Sequence, residues 1–179
     1  MFLERGLQRT LVIWWSLVSG VVHVLWEGTW SVAAPHLQDV AAQHDWRLYW
    51  TLYGAADRRY VHADPFLRML ELVTGTVVAA LNLWVSYHIW KRKRIVTATV
   101  GLLVASVMEI YGTLLYFGSE WLNHWTNLDA SSFVHTWVMF FGLNALWLVF
   151  PGWCVYELLV QHRASFMMRG LAETQVATS

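Results

Sequence analysis

Long apolar runs separated by short polar stretches dominate the chain. A helix that crosses a bilayer needs roughly 20 mostly apolar residues. Four segments meet that length, at about residues 11–30, 69–90, 95–117 and 133–159. Each has Trp or Tyr near an end, where amphipathic rings anchor at the membrane–water boundary. The pattern predicts an all-α integral membrane protein, a bundle of four transmembrane helices. Residues 1–170 read as one domain and 171–179 as a polar, disordered tail. Arg5 and Arg9 ahead of the first run, with Val32, Ala33 and Ala34 behind it, outline a signal peptide. The run is too long for one and carries His23 and Glu27, which a signal core does not need.

The polar stretches set orientation. Lys91, Arg92, Lys93 and Arg94 form a tight basic loop between the second and third runs. With Arg5, Arg9, Arg163 and Arg169 they place eight basic residues on one side, against Arg47, Arg58, Arg59 and Arg68 on the other. That bias predicts both termini and the basic loop on the cytoplasmic side. The connection 35–67 between helices 1 and 2 is long and mixes acids, Arg, Trp46, Tyr49, Trp50, Tyr53 and Tyr60. Connections of this length are often functional caps, and a partly helical loop covering the bundle is expected. Asp57-Arg58-Arg59-Tyr60 has the outline of a receptor signature, but its place in a loop makes that match coincidental.

Composition agrees with the runs: 57% hydrophobic, 13 Trp and only 13% charged, about half the ~25% of a soluble domain. Net charge is zero, so no nucleic-acid partner is implied. Cys154 is the sole cysteine, which excludes an internal disulfide and a cysteine metal site.

The exceptions inside the runs carry the chemistry. His23, Glu27, Glu71, Asn82, Glu109 and Asn144 lie within the predicted spans. A charge at bilayer depth costs at least ~2.5–3.5 kcal/mol, so such groups turn to an interior or a cavity. Alternating chain direction brings His23 with Glu27, Glu71 with Thr74, Glu109, and Asn144 with Trp147 into overlapping layers between midplane and outer face. His23 and Glu27 are four apart, and Glu71 with Thr74 three apart, so each pair shares a helix face. Glu109, Tyr116 and Glu120 continue one stripe. Asn82 reads best as interhelical hydrogen-bond glue, while Glu120 and His135 are placed to reach the headgroups.

Carboxyls, one His and a Trp in an apolar pocket suit proton chemistry on an apolar substrate. A desolvated acid can protonate an alkene, a Trp face can stabilise the carbocation, and a second carboxylate can take the neighbouring proton. Exclusion of water prevents capture as an alcohol. This shifts a double bond and calls for neither a metal nor an organic cofactor.

Four blocks, in order over about residues 10–160, resemble the emopamil-binding protein family of sterol Δ8–Δ7 isomerases. They are His23-Val-Leu-Trp-Glu27-Gly28; Asp57-Arg-Arg-Tyr60 with Asp64-Pro-Phe66 and Glu71-Leu-Val-Thr74; Glu109-Ile-Tyr-Gly112 with Leu115-Tyr-Phe117; and Asn144-Ala-Leu-Trp147-Leu-Val-Phe-Pro151-Gly152. The resemblance implies a four-helix module shared with the sigma-2 receptor. It implies His23 and Glu27 as proton donors, Glu71 as base, and Asn144 and Trp147 as orienting and cation-stabilising groups. Thr74, Glu109, Tyr111 and Tyr116 are expected to line the substrate pocket. It also implies a sterol or terpenoid substrate, cationic amphiphilic amines as inhibitors, contact with membrane lipid, and compatibility with a homodimer. Its members would sit in the endoplasmic reticulum membrane of a eukaryote; a bacterial protein of this kind would sit in the cytoplasmic membrane.

Two departures stand out. The extra helix that precedes the module in vertebrate isomerases is expected to have no counterpart here. Glu109 stands where the family isomerases carry an amide, and Thr113 where they carry an acid. A terpenoid cyclase acting by alkene or epoxide protonation, and a non-catalytic lipid-binding protein, remain alternatives. A proton-coupled transporter lacks the repeat symmetry expected of that class, and His23, His88 and His135 do not suggest facing haem ligands.

Overall fold

The structure is a computed structural model that describes residues 6–39 and 44–177, with side chains through residue 160. Among the described residues, four helices are long and apolar enough to cross a membrane: α1 Gly6–His36, α4 Pro65–Trp90, α5 Ile95–Leu122 and α6 Val134–Val160. Two short helices, α2 Leu48–Tyr53 and α3 Arg58–Val61, lie in the connection between α1 and α4. No strand occurs among the described residues; one isolated bridge joins Asp57 to Leu128. Every span extends beyond its apolar run at one end or more, because hydrogen-bonded helix continues where hydrocarbon stops. The backbone of α6 stays helical to Ala177. Residues 178–179 lie outside the described part.

Local chemistry fixes the starts of the elements. The Asp64 carboxylate accepts from Leu67 N at 2.8 Å and Pro65 occupies the first turn, a strong N-terminal signal for α4. Asp57 caps α3 in the same way through Arg59 N at 3.0 Å. Ahead of α6, Asp129 binds Ser131 and the His135 imidazole at 2.7 Å. Those bonds hold its carboxyl down at about 2. His135 is thus engaged with Asp129 in the structure.

The interior falls into three layers. At the end carrying the basic loop, Val12, Val85, Ile89, Ala98, Leu102 and Cys154 form an aliphatic cluster. At the other end, Trp30, Trp50, Tyr53, Tyr60, Tyr116 and Phe140 form an aromatic cluster under the α2–α3 cap. Between them lies a buried polar layer that includes Ser19, His23, Asn82 and Glu109. The outward faces of the spans are apolar side chains such as Trp14, Leu25, Val96 and Val149, as a lipid-facing surface requires.

Three spans contain wide, π-type turns, at His23–Gly28, Thr74–Val78 and Val134–Gly142. Such turns cluster at functional sites. The first two touch through glycines. A Cβ on Gly75 would sit 2.5 Å from both N and Cα of Gly28, where only backbone could yield. Gly75→Ala is therefore expected to cost about 1–3 kcal/mol by overpacking and to wedge α1 from α4. Thermal unfolding and activity should fall together; wild-type stability would show that the contact is not tight.

Candidate active site

The polar layer is organised around His23, which is buried on the first wide turn of α1. Its Nδ1 contacts Glu27 Oε2 on the same face. Its Nε2 lies 3.1 Å from Trp147 Nε1 and 3.3 Å from Glu109 Oε1. Glu109 also accepts from Ser19 Oγ at 2.6 Å and from Asn82 Nδ2 at 2.8 Å. The Trp147 indole N–H is shared between His23 and Ser19 Oγ, the latter at 3.2 Å. One heavy-atom arrangement thus serves two proton arrangements. A neutral imidazole accepts from Trp147 at Nε2 and donates to Glu27. An imidazolium donates to both carboxylates while Trp147 donates to Ser19.

A second carboxylate enters from α4. Glu71 is buried and accepts from the Tyr60 hydroxyl at 2.5 Å. Tyr60 comes from the cap, where burial and the adjacent Glu71 push its phenol well above the ordinary range, so it stays protonated and donates. Tyr53, pushed up to about 12 by burial, stays protonated for the same reason. Its oxygen accepts from Asn144 Nδ2 at 3.1 Å, and Asn144 also donates to Phe140 O at 2.7 Å, a carbonyl in the wide turn of α6.

These groups converge on one cavity of about 40 Å³. His23, Glu27, Glu71, Thr74, Glu109, Tyr116, Asn144 and Trp147 all line it, with Leu70, Gly112 and Thr113 completing the wall. All the site residues expected from the sequence meet there except one. Tyr111 is 63% exposed on the outer face of α5 and does not line this cavity. Two groups play other parts than expected. Glu120 is buried and bound to Asn127 and Arg59 rather than reaching a headgroup. Asp57, Arg59 and Tyr60 form the buried link between cap and bundle: Asp57 binds Arg59 at 2.7 Å and accepts from the Tyr116 hydroxyl at 2.7 Å. Burial works against the Arg59 charge, but hydrogen bonding and counter-charge from Asp57 hold its pKa above the ordinary value, so it stays a cation.

Comparison with known proteins decides the family. The sequence model of EXPERA (EXPanded EBP superfamily) matches residues 46–158. This chain belongs to the EXPanded EBP superfamily. Among similar superfamily proteins, the 3-beta-hydroxysteroid-Delta(8),Delta(7)-isomerase of Rattus norvegicus is 31% identical over 153 residues, covering 85% of this chain and 64% of the rat protein. The mouse enzyme of that name is 31% identical over 161 residues, covering 89% of this chain and 67% of its own length. Protoglabretal synthase MOI1 of Citrus sinensis is 27% identical over 148 residues, covering 83% of this chain and 67% of the plant protein. The chain therefore spans about two thirds of the length of the curated relatives it matches.

Proposed function

We propose that this chain is a membrane-embedded isomerase that moves a carbon–carbon double bond in a sterol or related polycyclic terpenoid. The observation that carries the reading is the convergence of the His23–Glu27 pair, Glu71 and Trp147 on one cavity. Protons leave and arrive at different carbons, so the reaction needs a donor and an acceptor on separate elements; α1 and α4 supply them. In the proposed step the His23–Glu27 pair gives a proton to one alkene carbon, whose π electrons form the new C–H bond. The neighbouring carbon becomes cationic. The Glu71 carboxylate removes a proton from the carbon beyond it, and that C–H pair becomes the new double bond. The proton gained by Glu71 then returns to the His23–Glu27 side, and no atom is gained or lost. Tyr60 holds Glu71, and Asn144 anchors Tyr53 beside it.

Trp147 is proposed to face the cation. Trp147→Phe and Trp147→Ala both lose the N–H bond to His23, so the difference between them isolates the ring. Cation–π stabilisation reaches about 2 kcal/mol when desolvated, so Ala should be up to about 30-fold slower than Phe. Equal losses in turnover would assign Trp147 to hydrogen bonding alone.

The relatives named protoglabretal synthase and isomeliandiol synthase favour a second reading, a terpenoid substrate handled by the same acids. Cationic amphiphilic amines are the expected inhibitors of either activity, since they mimic the carbocation. The compartment follows the source: endoplasmic reticulum in a eukaryote, cytoplasmic membrane in a bacterium. The test is expression in a yeast strain lacking its Δ8–Δ7 sterol isomerase, with sterols read by mass spectrometry. Restored Δ7 sterols are expected. An inserted protein that leaves only Δ8 sterols would remove the sterol reading and bring a terpenoid substrate forward.

A further inference from the structure

The polar cavity is too small for the substrate class it suits. About 40 Å³ has room for one or two waters, whereas sites for organic ligands usually enclose about 300–1,000 Å³. The missing volume lies next door. A groove of about 300 Å³ runs between the outer halves of α4 and α5. It extends along α4 from Phe66 to Val78, about 18 Å at the helical rise. Its α5 wall includes Met108 and Tyr111.

Groove and cavity share Leu70, Thr74 and Gly112 in their walls. The partition is thin at Gly112. That residue has no side chain, and Leu70 Cδ1 comes to 3.6 Å of the point where a Cβ would stand. A half-buried leucine leaning on a glycine stands between the two spaces, and its side chain is the group that a rotamer change would move. The groove offers an occupant almost nothing polar. The Thr74 hydroxyl is turned back to Leu70 O and Glu71 O, at 3.2 and 3.1 Å. What fits here is hydrocarbon.

We propose that the α4–α5 groove is the subsite for the hydrocarbon tail of the substrate, joined to the polar cavity through the Leu70–Gly112 partition. Tyr111, away from the polar cavity, then bears on the tail and on the choice of substrate. The proposal rests on the isomerase reading of that cavity, from which it borrows the reacting end of the ligand. Continuity of the two walls distinguishes this groove from an ordinary lipid-facing crease.

The experiment uses the full chain in phospholipid nanodiscs and two azasteroids, one with an eight-carbon side chain and one without. The tailed compound should bind about tenfold more tightly. In Met108→Trp, which fills the groove, the ratio of the two affinities should collapse to within about threefold. A diazirine at the end of the tail should label residues of α4 and α5 in the unaltered protein, which makes the result independent of how that variant folds. Labelling confined to α1 or α6, or an affinity ratio of one in the unaltered protein, overturns the groove and leaves the isomerase reading standing. If neither azasteroid binds, the reading of the polar cavity falls and the groove proposal falls with it.

Discussion

Glu71→Gln should reduce turnover by about 10²–10⁴-fold, the usual contribution of a positioned acid or base, while a cationic steroid amine still binds measurably. Gln has the shape of Glu, and its amide oxygen can still accept the Tyr60 hydroxyl that now reaches Glu71 at 2.5 Å. The cap should therefore stay docked. What is lost is the ability to take a proton. The same protein preparation should be assayed for isomerised product by mass spectrometry and for amine binding in parallel. Full turnover by the variant would remove Glu71 as the base, whereas loss of product and of binding together would mark a folding defect.

The largest effect on stability is expected from Asp57→Ala. Asp57 is fully buried and accepts from Arg59 Nε and N, both at 3.0 Å, and from Tyr116. Arg59 is itself 5% exposed, with its guanidinium 4.5 Å from the Tyr116 ring centroid. Removing the carboxylate leaves a buried cation with Tyr116 O, Ser119 Oγ and the more distant Glu120 as partners. Stranding one member of a buried pair costs about 3–5 kcal/mol. The double variant Asp57→Ala/Arg59→Met should recover part of that loss, because the unpaired Arg59 cation is then gone, with the buried Glu120 left to its bonds from Asn127. Thermal unfolding of the three variants tests this; equal melting of Asp57→Ala and the unaltered protein would mean that the pair does not hold the cap.

The four spans were readable because a bilayer imposes a length that apolar runs report directly. So was the meeting of His23, Glu27, Glu71, Glu109, Asn144 and Trp147, since alternating direction and the cost of buried charge leave such groups one interior to share. Asn82 behaves as the glue expected, binding Glu109. The cap was less legible. Asp57 and Arg59 sit in a connection, and their partners Tyr116 and Glu120 are on α5, so no local pattern announces the contact. Glu120 looked exposed for the same reason: its nearness to a helix end is visible, but its bonds to Asn127 and Arg59 depend on how the chain folds back. Tyr111 was expected beside the polar groups because of its proximity in sequence, yet it lines the α4–α5 groove instead. It follows Glu109 by two residues, and on a helix that is roughly the opposite face.

The wide turns were invisible as well, because a spacing of four suits an α-helix and a π turn alike. They carry a consequence for how such a site can change. A wide turn holds one residue more than the α-helical ladder needs. His23, Glu27 and Thr74 lie in two such turns, and Asn144 follows a third. Deleting one residue within His23–Gly28 would let α1 close into a regular helix. The helix beyond the cut would keep its orientation, because the wide turn had absorbed the extra residue, while the side chains inside the turn would be re-aimed. The chemistry could thus be dismantled without altering any of the acids, and reshaped by adding or removing single residues between them. In this bundle the length of the chain, as much as the identity of its residues, is a variable on which specificity can be rebuilt.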